Sequence, residues 1–239
     1  MEKVSSTRDY NQYSLSIRFS SDGFSLSVHD ELNKLLSIKK VSAFLFSLSE
    51  EEIIRLLMHE PELQVNCKNI RLICELDTYA FVPASIFTPE QAELFLFYQD
   101  KKDMPEMILY NELTDWDMVN VFSIPPALHA ALTHMYPDVV LEHHLSNFFT
   151  DKINPNNNNC LQIWVRPKMM DVVVMTDAKP VLINSFTYRS TEDFVYFTLH
   201  ILEQLSLSAE KYDVRLHGMH KLNDLQMNVQ KYVKTVVYC

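Results

Sequence analysis

The sequence predicts a two-lobed α/β protein in which one order of elements occurs twice. Three observations predict it. Period-2 alternation of apolar and polar residues, the mark of a half-buried strand, occurs near the start of the chain and again after residue 160. Each stretch runs into a helix-start signal, Ser49 with Glu52 and then Ser190 with Asp193, with a further strand behind it. Between the copies lies Asp151 to Asn159, a polar, asparagine-rich run with a proline that suits a linker or exposed loop. The expected lobes are 1–150 and 161–239, joined by 151–160.

The elements follow in order. Leu15, Ile17 and Phe19 alternate with serine and arginine, and Phe24, Leu26 and Val28 alternate with serine. Between them sits Ser20-Ser21-Asp22-Gly23, so the two runs form a hairpin. Lys40 to Leu48 carries Val41, Ala43, Phe44, Leu45 and Phe46 and predicts a more deeply buried third strand. Ser49 and Glu52 have capping-box spacing, and Ile53, Ile54, Leu57 and Met58 share a helical face. Asn69 to Glu75 is a strand, and Tyr79 to Phe87 is one interrupted by Pro83, hence an edge or bulged segment. Thr88-Pro89-Glu90-Gln91 opens a helix reaching about Tyr98. Strands are expected at Met107 to Glu112 and Met118 to Ile124, a helix from Pro125-Pro126, and a strand at Val139 to Leu145.

After the linker come strands at Leu161 to Arg166, Asp171 to Thr176 and Val181 to Thr187. A helix capped by Ser190 runs to Leu205; it is apolar on most sides and predicted to be central. A strand at Tyr212 to His217, a helix at Leu222 to Val233 and a short strand at Thr235 to Tyr238 close the chain. Both halves thus read strand, strand, strand, helix, strand.

Composition removes several functions. The chain has 239 residues and only two glycines, Gly23 and Gly218, where average usage of ~7% would give roughly seventeen. Phosphate loops need backbone N–H groups that a ligand can approach without a side chain in the way, so a generic glycine-loop nucleotide enzyme is not expected. Net charge is −10, with 21 basic against 31 acidic residues, which disfavours nucleic acid as a partner. The four cysteines, Cys67, Cys74, Cys160 and Cys239, form no C-x-x-C pair and suit reduced thiols. The first residues are polar, and no apolar run approaches the ~20 residues of a membrane helix. The cytoplasm is the expected compartment, without membrane insertion.

Two copies of a three-strand meander followed by a helix and further βα elements resemble the actin-like ATPase fold, which is related to ribonuclease H. The whole chain, including its length, resembles a bacterial family of unknown function assigned that fold. The resemblance implies where an ATP site would lie. The turn after the first strand of each half would carry an Asp-x-Gly pattern around phosphate, and a Gly-Gly turn in the second half would receive adenosine. Here the first turn has Asp22 and Gly23 adjacent, with no threonine following. The matching turn of the second half, Arg166-Pro167-Lys168-Met169-Met170, has no glycine, and Pro167 has no N–H to donate. The adenosine turn falls at His217-Gly218-Met219-His220, with one glycine where the family has two. Asp22, Gly23 and Gly218 are therefore the candidate cofactor-binding residues, as remnants of phosphate and adenosine turns.

The leading expectation is a non-catalytic interaction or scaffold protein with no cofactor and a protein partner, a role that pilus-assembly and secretion-platform members of the superfamily illustrate. The alternative is a divergent nucleotide-binding protein or weak ATPase that uses ATP and Mg in an inter-lobe cleft. Each singled-out residue also has a plainer reading. Asp22-Gly23 suits a hairpin turn, and Gly218 a strand end with unusual dihedrals. His143 and His144, adjacent on an expected strand, would face opposite sides and could not share an ion, and His217-x-x-His220 has no acidic or cysteine ligand nearby. A ribonuclease-H-type nuclease would need converging carboxylates, for which Asp22, Asp171 and Asp177 are the candidates, but the first strand lacks an acidic residue.

Overall fold

The computed structural model describes residues 13–32, 34–63, 67–96, 106–154, 159–218 and 222–239. The chain divides into two compact units, Met1–Leu113 with Asp117–Asn147, and Thr114–Trp116 with Phe148–Cys239.

In unit 1, β1 (Ser14–Ser20) and β2 (Gly23–His29) form the expected hairpin, closed by Ser20 opposite Gly23, and β2 pairs antiparallel with β3 (Leu35–Ser42). Helix α1 (Glu50–Met58) follows, then β4 (Asn69–Cys74), parallel to β1. The capping box is formed: Glu52 N donates to Ser49 Oγ (3.4 Å) and Ser49 N to Glu52 Oε2 (2.8 Å). A smaller antiparallel sheet comes next, from β5 (Tyr79–Pro83), β6 (Met107–Leu113) and β7 (Met118–Ile124) in the order β5-β7-β6, with the short α2 (Ala92–Leu96) packed on it. Helix α3 (Pro126–Met135) and β8 (Leu141–His143) return the chain to the main sheet, whose order is β3-β2-β1-β4-β8. Leu15, Ile17, Phe19, Phe24, Leu26 and Val28 lie on one face of that sheet and bury against Ile53 and Leu57 of α1 and Leu128, Ala131 and Leu132 of α3. Each of the larger side chains among these, leucine, isoleucine, valine or phenylalanine, contributes about 1.5–3 kcal/mol when fully buried.

The chain leaves unit 1 within α4 (His144–Asp151). Unit 2 repeats the main sheet. Strands β9 (Cys160–Val165), β10 (Met169–Thr176) and β11 (Lys179–Thr187) form the meander, α5 (Thr191–Gln204) and β12 (Asp213–His217) follow, and α6 (Leu222–Val229) leads to β13 (Val236–Tyr238). The order β11-β10-β9-β12-β13 matches β3-β2-β1-β4-β8 strand for strand, with the same parallel and antiparallel pairings. The duplication read from the sequence is therefore a duplication of topology. Ser190 caps α5 by accepting from Asp193 N at 3.2 Å.

Six elements depart from expectation. The strand expected at Tyr79 to Phe87 stops at Pro83, and Ala84–Ile86 forms a turn of 3-10 helix. The third strand is Leu35–Ser42, not Lys40 to Leu48; of the later run only Leu45 is buried, in a turn of 3-10 helix, and Phe44 points to solvent. The strand expected at Val139 to Leu145 stops at His143, where α4 begins, because Leu145, Phe148 and Phe149 have helical spacing and are all buried. Pro89–Gln91 forms 3-10 helix before α2, Thr88 makes no side-chain cap bond, and the predicted end at Tyr98 lies outside the described residues. Helix α5 is not buried all round: Phe194, Thr198, Ile201 and Leu202 face the core while Tyr196 is exposed. Helix α6 ends at Val229, four residues short of Val233, although Val233 stays buried in the turn beyond it.

Candidate functional site

Three places follow from the sequence: the turns after β1 and β9 and the end of β12. In the first turn Ser20 Oγ donates to Asp22 Oδ1 at 2.6 Å, and Ala43 N donates to Asp22 O at 3.1 Å. Gly23 has φ +140, a region that side-chain-bearing residues rarely enter, and a Cβ there would run into the Val41 carbonyl of β3. The glycine thus lets the third strand close over the hairpin.

The turn after β9 is closed by its own side chains. Arg166 N donates to Met169 O (2.8 Å), and Tyr188 N to Lys168 O (3.0 Å). The Arg166 guanidinium folds back along the hairpin and binds Asp171 in a bidentate pair, Nε to Oδ2 and Nη2 to Oδ1, both 2.8 Å. Asp171 is fully buried and also accepts from Ser185 Oγ at 2.5 Å, while Tyr188 Oη donates to the Arg166 carbonyl at 2.7 Å. Charge-assisted, two-point pairs of this kind fix geometry strongly. Of the three candidate nuclease carboxylates, Asp22 is in unit 1, and Asp171 and Asp177 lie at opposite ends of β10, with Asp177 in the turn to β11.

At the end of β12, Gly218 has φ +139, and a Cβ would come 2.6 Å from the Val165 carbonyl of β9. Met219 and His220 lie outside the described residues. The preceding His217 is buried, its Nε2 donates to Gln162 Oε1 at 2.7 Å, and Phe148 meets the ring edge-on. His217 Nδ1 is buried with no hydrogen-bond partner among the described residues. Burial, reinforced by the nearby cations Lys152 and Arg215, pushes its pKa down to about 4, so the ring is neutral at physiological pH.

Sequence reasoning missed a buried polar centre in unit 1. His143 Nδ1 accepts from Asn120 Nδ2 (2.9 Å), and His143 Nε2 donates to Leu76 O (3.0 Å), which fixes the Nε2–H tautomer. Asn120 Nδ2 also reaches Ser146 Oγ (2.9 Å), and Asn111 joins β6 to β8 by accepting from His143 N (2.8 Å) and donating to Leu141 O (2.9 Å). The signal was Asn120 itself, a polar residue amid the apolar run of β7. The expectation that His143 and His144 point apart is corrected: the chain turns into α4 between them and their rings lie 4.3 Å apart. Both His143 nitrogens are nevertheless engaged, which makes it a framework residue. Nearby, on the outer side of the sheet, Arg18 pairs with Glu75 (3.2 Å) and Arg71 with Glu142 (2.9 Å). Glu75 follows β4 as Gly218 follows β12, so unit 1 puts a carboxylate where unit 2 puts a glycine. Among the described residues no group of three or more His, Cys, Asp or Glu is placed to hold a metal ion, and no helix is long and apolar enough to cross a membrane.

The chain belongs to the DUF3822 family of proteins of unknown function, whose pattern matches residues 3–236. It is similar over its whole length to a Bacteroides thetaiotaomicron protein with actin-like ATPase fold and unknown function, at 26% identity and TM-score 0.79, covering 94% of that chain. A chain of the PilM–PilN type IV pilus biogenesis complex matches 95% of this one at 13% identity and TM-score 0.51, with 88% of its own length covered. The ethanolamine utilization protein EutJ from Carboxydothermus hydrogenoformans matches 95% at 9% identity and TM-score 0.51, with 84% covered. The fold is the actin-like ATPase fold. No curated protein matches the chain.

Proposed function

We propose that this DUF3822 chain is a non-catalytic interaction or scaffold protein of the cytoplasm, one that keeps the actin-like fold and has lost its nucleotide chemistry. It works without a cofactor and binds a protein partner. The observation that carries this reading is the closed turn after β9. A phosphate there would need free backbone donors to cradle it, since the exposed Lys168 offers charge but no cradle. Pro167 supplies no N–H, and the Arg166 guanidinium is already held by the buried Asp171 carboxylate through two bonds. Releasing it would leave that carboxylate buried and uncompensated, at a cost of about 3–5 kcal/mol.

Two further features support the reading. In unit 1 the Asp22 carboxylate sits in the turn itself, where it repels an incoming anion, and Ser20 is turned toward it. A protein of this fold also occurs in the PilM–PilN type IV pilus biogenesis complex, so a role in an assembly is compatible with the architecture.

Thermal unfolding with and without millimolar Mg-ATP tests the proposal. A native-state ligand with Kd near 10 μM would add about 2.7 kcal/mol at one hundred times that concentration, or roughly 5–10 °C in Tm for a chain of this size. The expected result is no shift. A shift of several degrees that disappears in Gly218→Val would establish the divergent nucleotide-binding alternative instead.

A further inference from the structure

We propose that the outer side of α2, where it meets β6, is the docking surface for a basic segment of a protein partner, one that sets arginine or lysine among apolar side chains. This deepens the interaction-protein reading by naming the surface, and rests on that reading for the existence of a partner.

The small sheet of unit 1 builds the surface. Ile108, Tyr110 and Glu112 alternate onto one face of β6, and Ile108 packs there with the cluster that Ala92 of α2 forms with Val82, Val119 and Val121. Phe87 ties the two elements together, its ring 5.0 Å from Tyr110 and 6.4 Å from Phe95 of α2. Helix α2 has only five residues, and the outside of this aromatic row stays open. Tyr110 keeps 41% of its surface exposed, Leu94 keeps 65%, and Ile86, just before Phe87, keeps 56%. Contiguous apolar surface rimmed by polar groups marks an interaction site.

Charge chooses the occupant. Net charge is −10, and unit 1 holds all of the excess, since unit 2 has as many Lys and Arg as Asp and Glu. Around the aromatic row the imbalance is complete. Glu90, Glu93 and Glu112 are exposed and bonded to no other side chain among the described residues. From Leu72 to Asp151 the described residues include no lysine or arginine. Residues 97–105, outside the described ones, add Asp100, Lys101, Lys102 and Asp103, whose charges cancel. A guanidinium suits both parts of the surface, because carboxylates and the faces of aromatic rings each attract it. Nucleic acid, an anionic membrane and a second copy of the same surface would all bring like charge to it.

Two labelled peptides of equal length test this by fluorescence anisotropy on the whole chain, one of arginine and leucine, the other with glutamate for every arginine. The arginine peptide should bind and the glutamate peptide should not. Glu93→Lys with Glu112→Lys should weaken the arginine peptide roughly tenfold, as two attractions become repulsions. Glu31→Lys with Glu51→Lys makes the same change of charge in the β2–β3 turn and on α1, and should weaken it less than about threefold, through screened long-range charge alone. Leu94→Ser, at an exposed site, should weaken it at least about threefold and leave the thermal transition cooperative. Equal weakening by the two charge reversals would reduce the effect to net charge and overturn the proposal. So would binding that Leu94→Ser leaves unchanged, absence of binding at millimolar peptide, or a dimer in sedimentation that Leu94→Ser dissolves. Binding that begins only when residues 98–104 are replaced by glycine and serine would make the chain's own segment the occupant and overturn it too. A chain that bound both Mg-ATP and the peptide would sink the lost-nucleotide reading and leave this one standing; a chain that bound neither would do the reverse.

Discussion

Acidification should unfold this protein partly through His217. The ring is buried, its Nε2 is bonded to Gln162, and its Nδ1 has no acceptor among the described residues for a second proton. Its folded pKa is about 4 against an ordinary 6.5. The unfolded chain therefore takes up this proton first as pH falls. Stability from the neutral ring is complete above about pH 6.5 and drains away as pH drops toward the folded pKa. Linkage puts the loss at about 2 kcal/mol by pH 5 and about 3 kcal/mol by pH 4. Other groups titrate over the same range, so the quantity to read is a difference. His217→Gln keeps a donor for Gln162 and cannot titrate. Urea unfolding followed by the fluorescence of Trp116 and Trp164 gives the stability of both proteins across the range. The variant is expected to be the weaker near neutrality, and the gap should close by about 2 kcal/mol between about pH 7 and pH 5. Parallel curves would refute a buried, neutral His217.

Other outcomes follow from the same geometry. Asp171→Asn should cost about 3–5 kcal/mol in urea unfolding, because it leaves the Arg166 charge buried without its partner, and Arg166→Met with Asp171→Leu should recover most of the loss. Gly218→Ala should cost more than about 1 kcal/mol, since the new Cβ meets the Val165 backbone oxygen and the dihedral is unfavourable to alanine. Ser190→Ala should cost about 1 kcal/mol by removing the α5 cap, measured by thermal unfolding. Cys74, whose thiol burial pushes up to about 12, should resist alkylation in the native state while exposed Cys239 reacts.

The fold was legible where local chemistry and packing agree. Ser49 with Glu52, Ser190 with Asp193, and the alternating runs around residue 20 each carry a local signal that the tertiary structure keeps. Legibility failed where burial was the deciding variable. Val41 to Phe46 is apolar enough for a core strand, yet the paired strand is the more exposed Leu35–Ser42, because an edge needs one neighbour and no buried face. In α4 the helical period of Leu145, Phe148 and Phe149 was present, but a short apolar run before it reads equally as strand. The candidate site was legible in its gaps, such as Pro167. The Arg166–Asp171 pair was not, because opposite charges five residues apart meet only after the hairpin brings β9 and β10 together.

A chain with two glycines has had to hold left-handed backbone with other residues. Asp117, Asn159, Asp177, Ala178 and Ser206 all have positive φ, between 39° and 61°. Asparagine and aspartate tolerate that region; alanine and serine do so at about 1–2 kcal/mol. Ala178 is the clearest case. With Asp177 it forms the two-residue turn between β10 and β11, and both φ values are positive, a geometry that prefers Asn-Gly. The molecule therefore holds a reserve that sequence change could release: Ala178→Gly and Ser206→Gly should raise its thermal stability while touching neither core nor any candidate surface. Both glycines already present stand instead where a neighbouring carbonyl forbids any side chain, so what is fixed in this fold and what is adjustable can be told apart turn by turn.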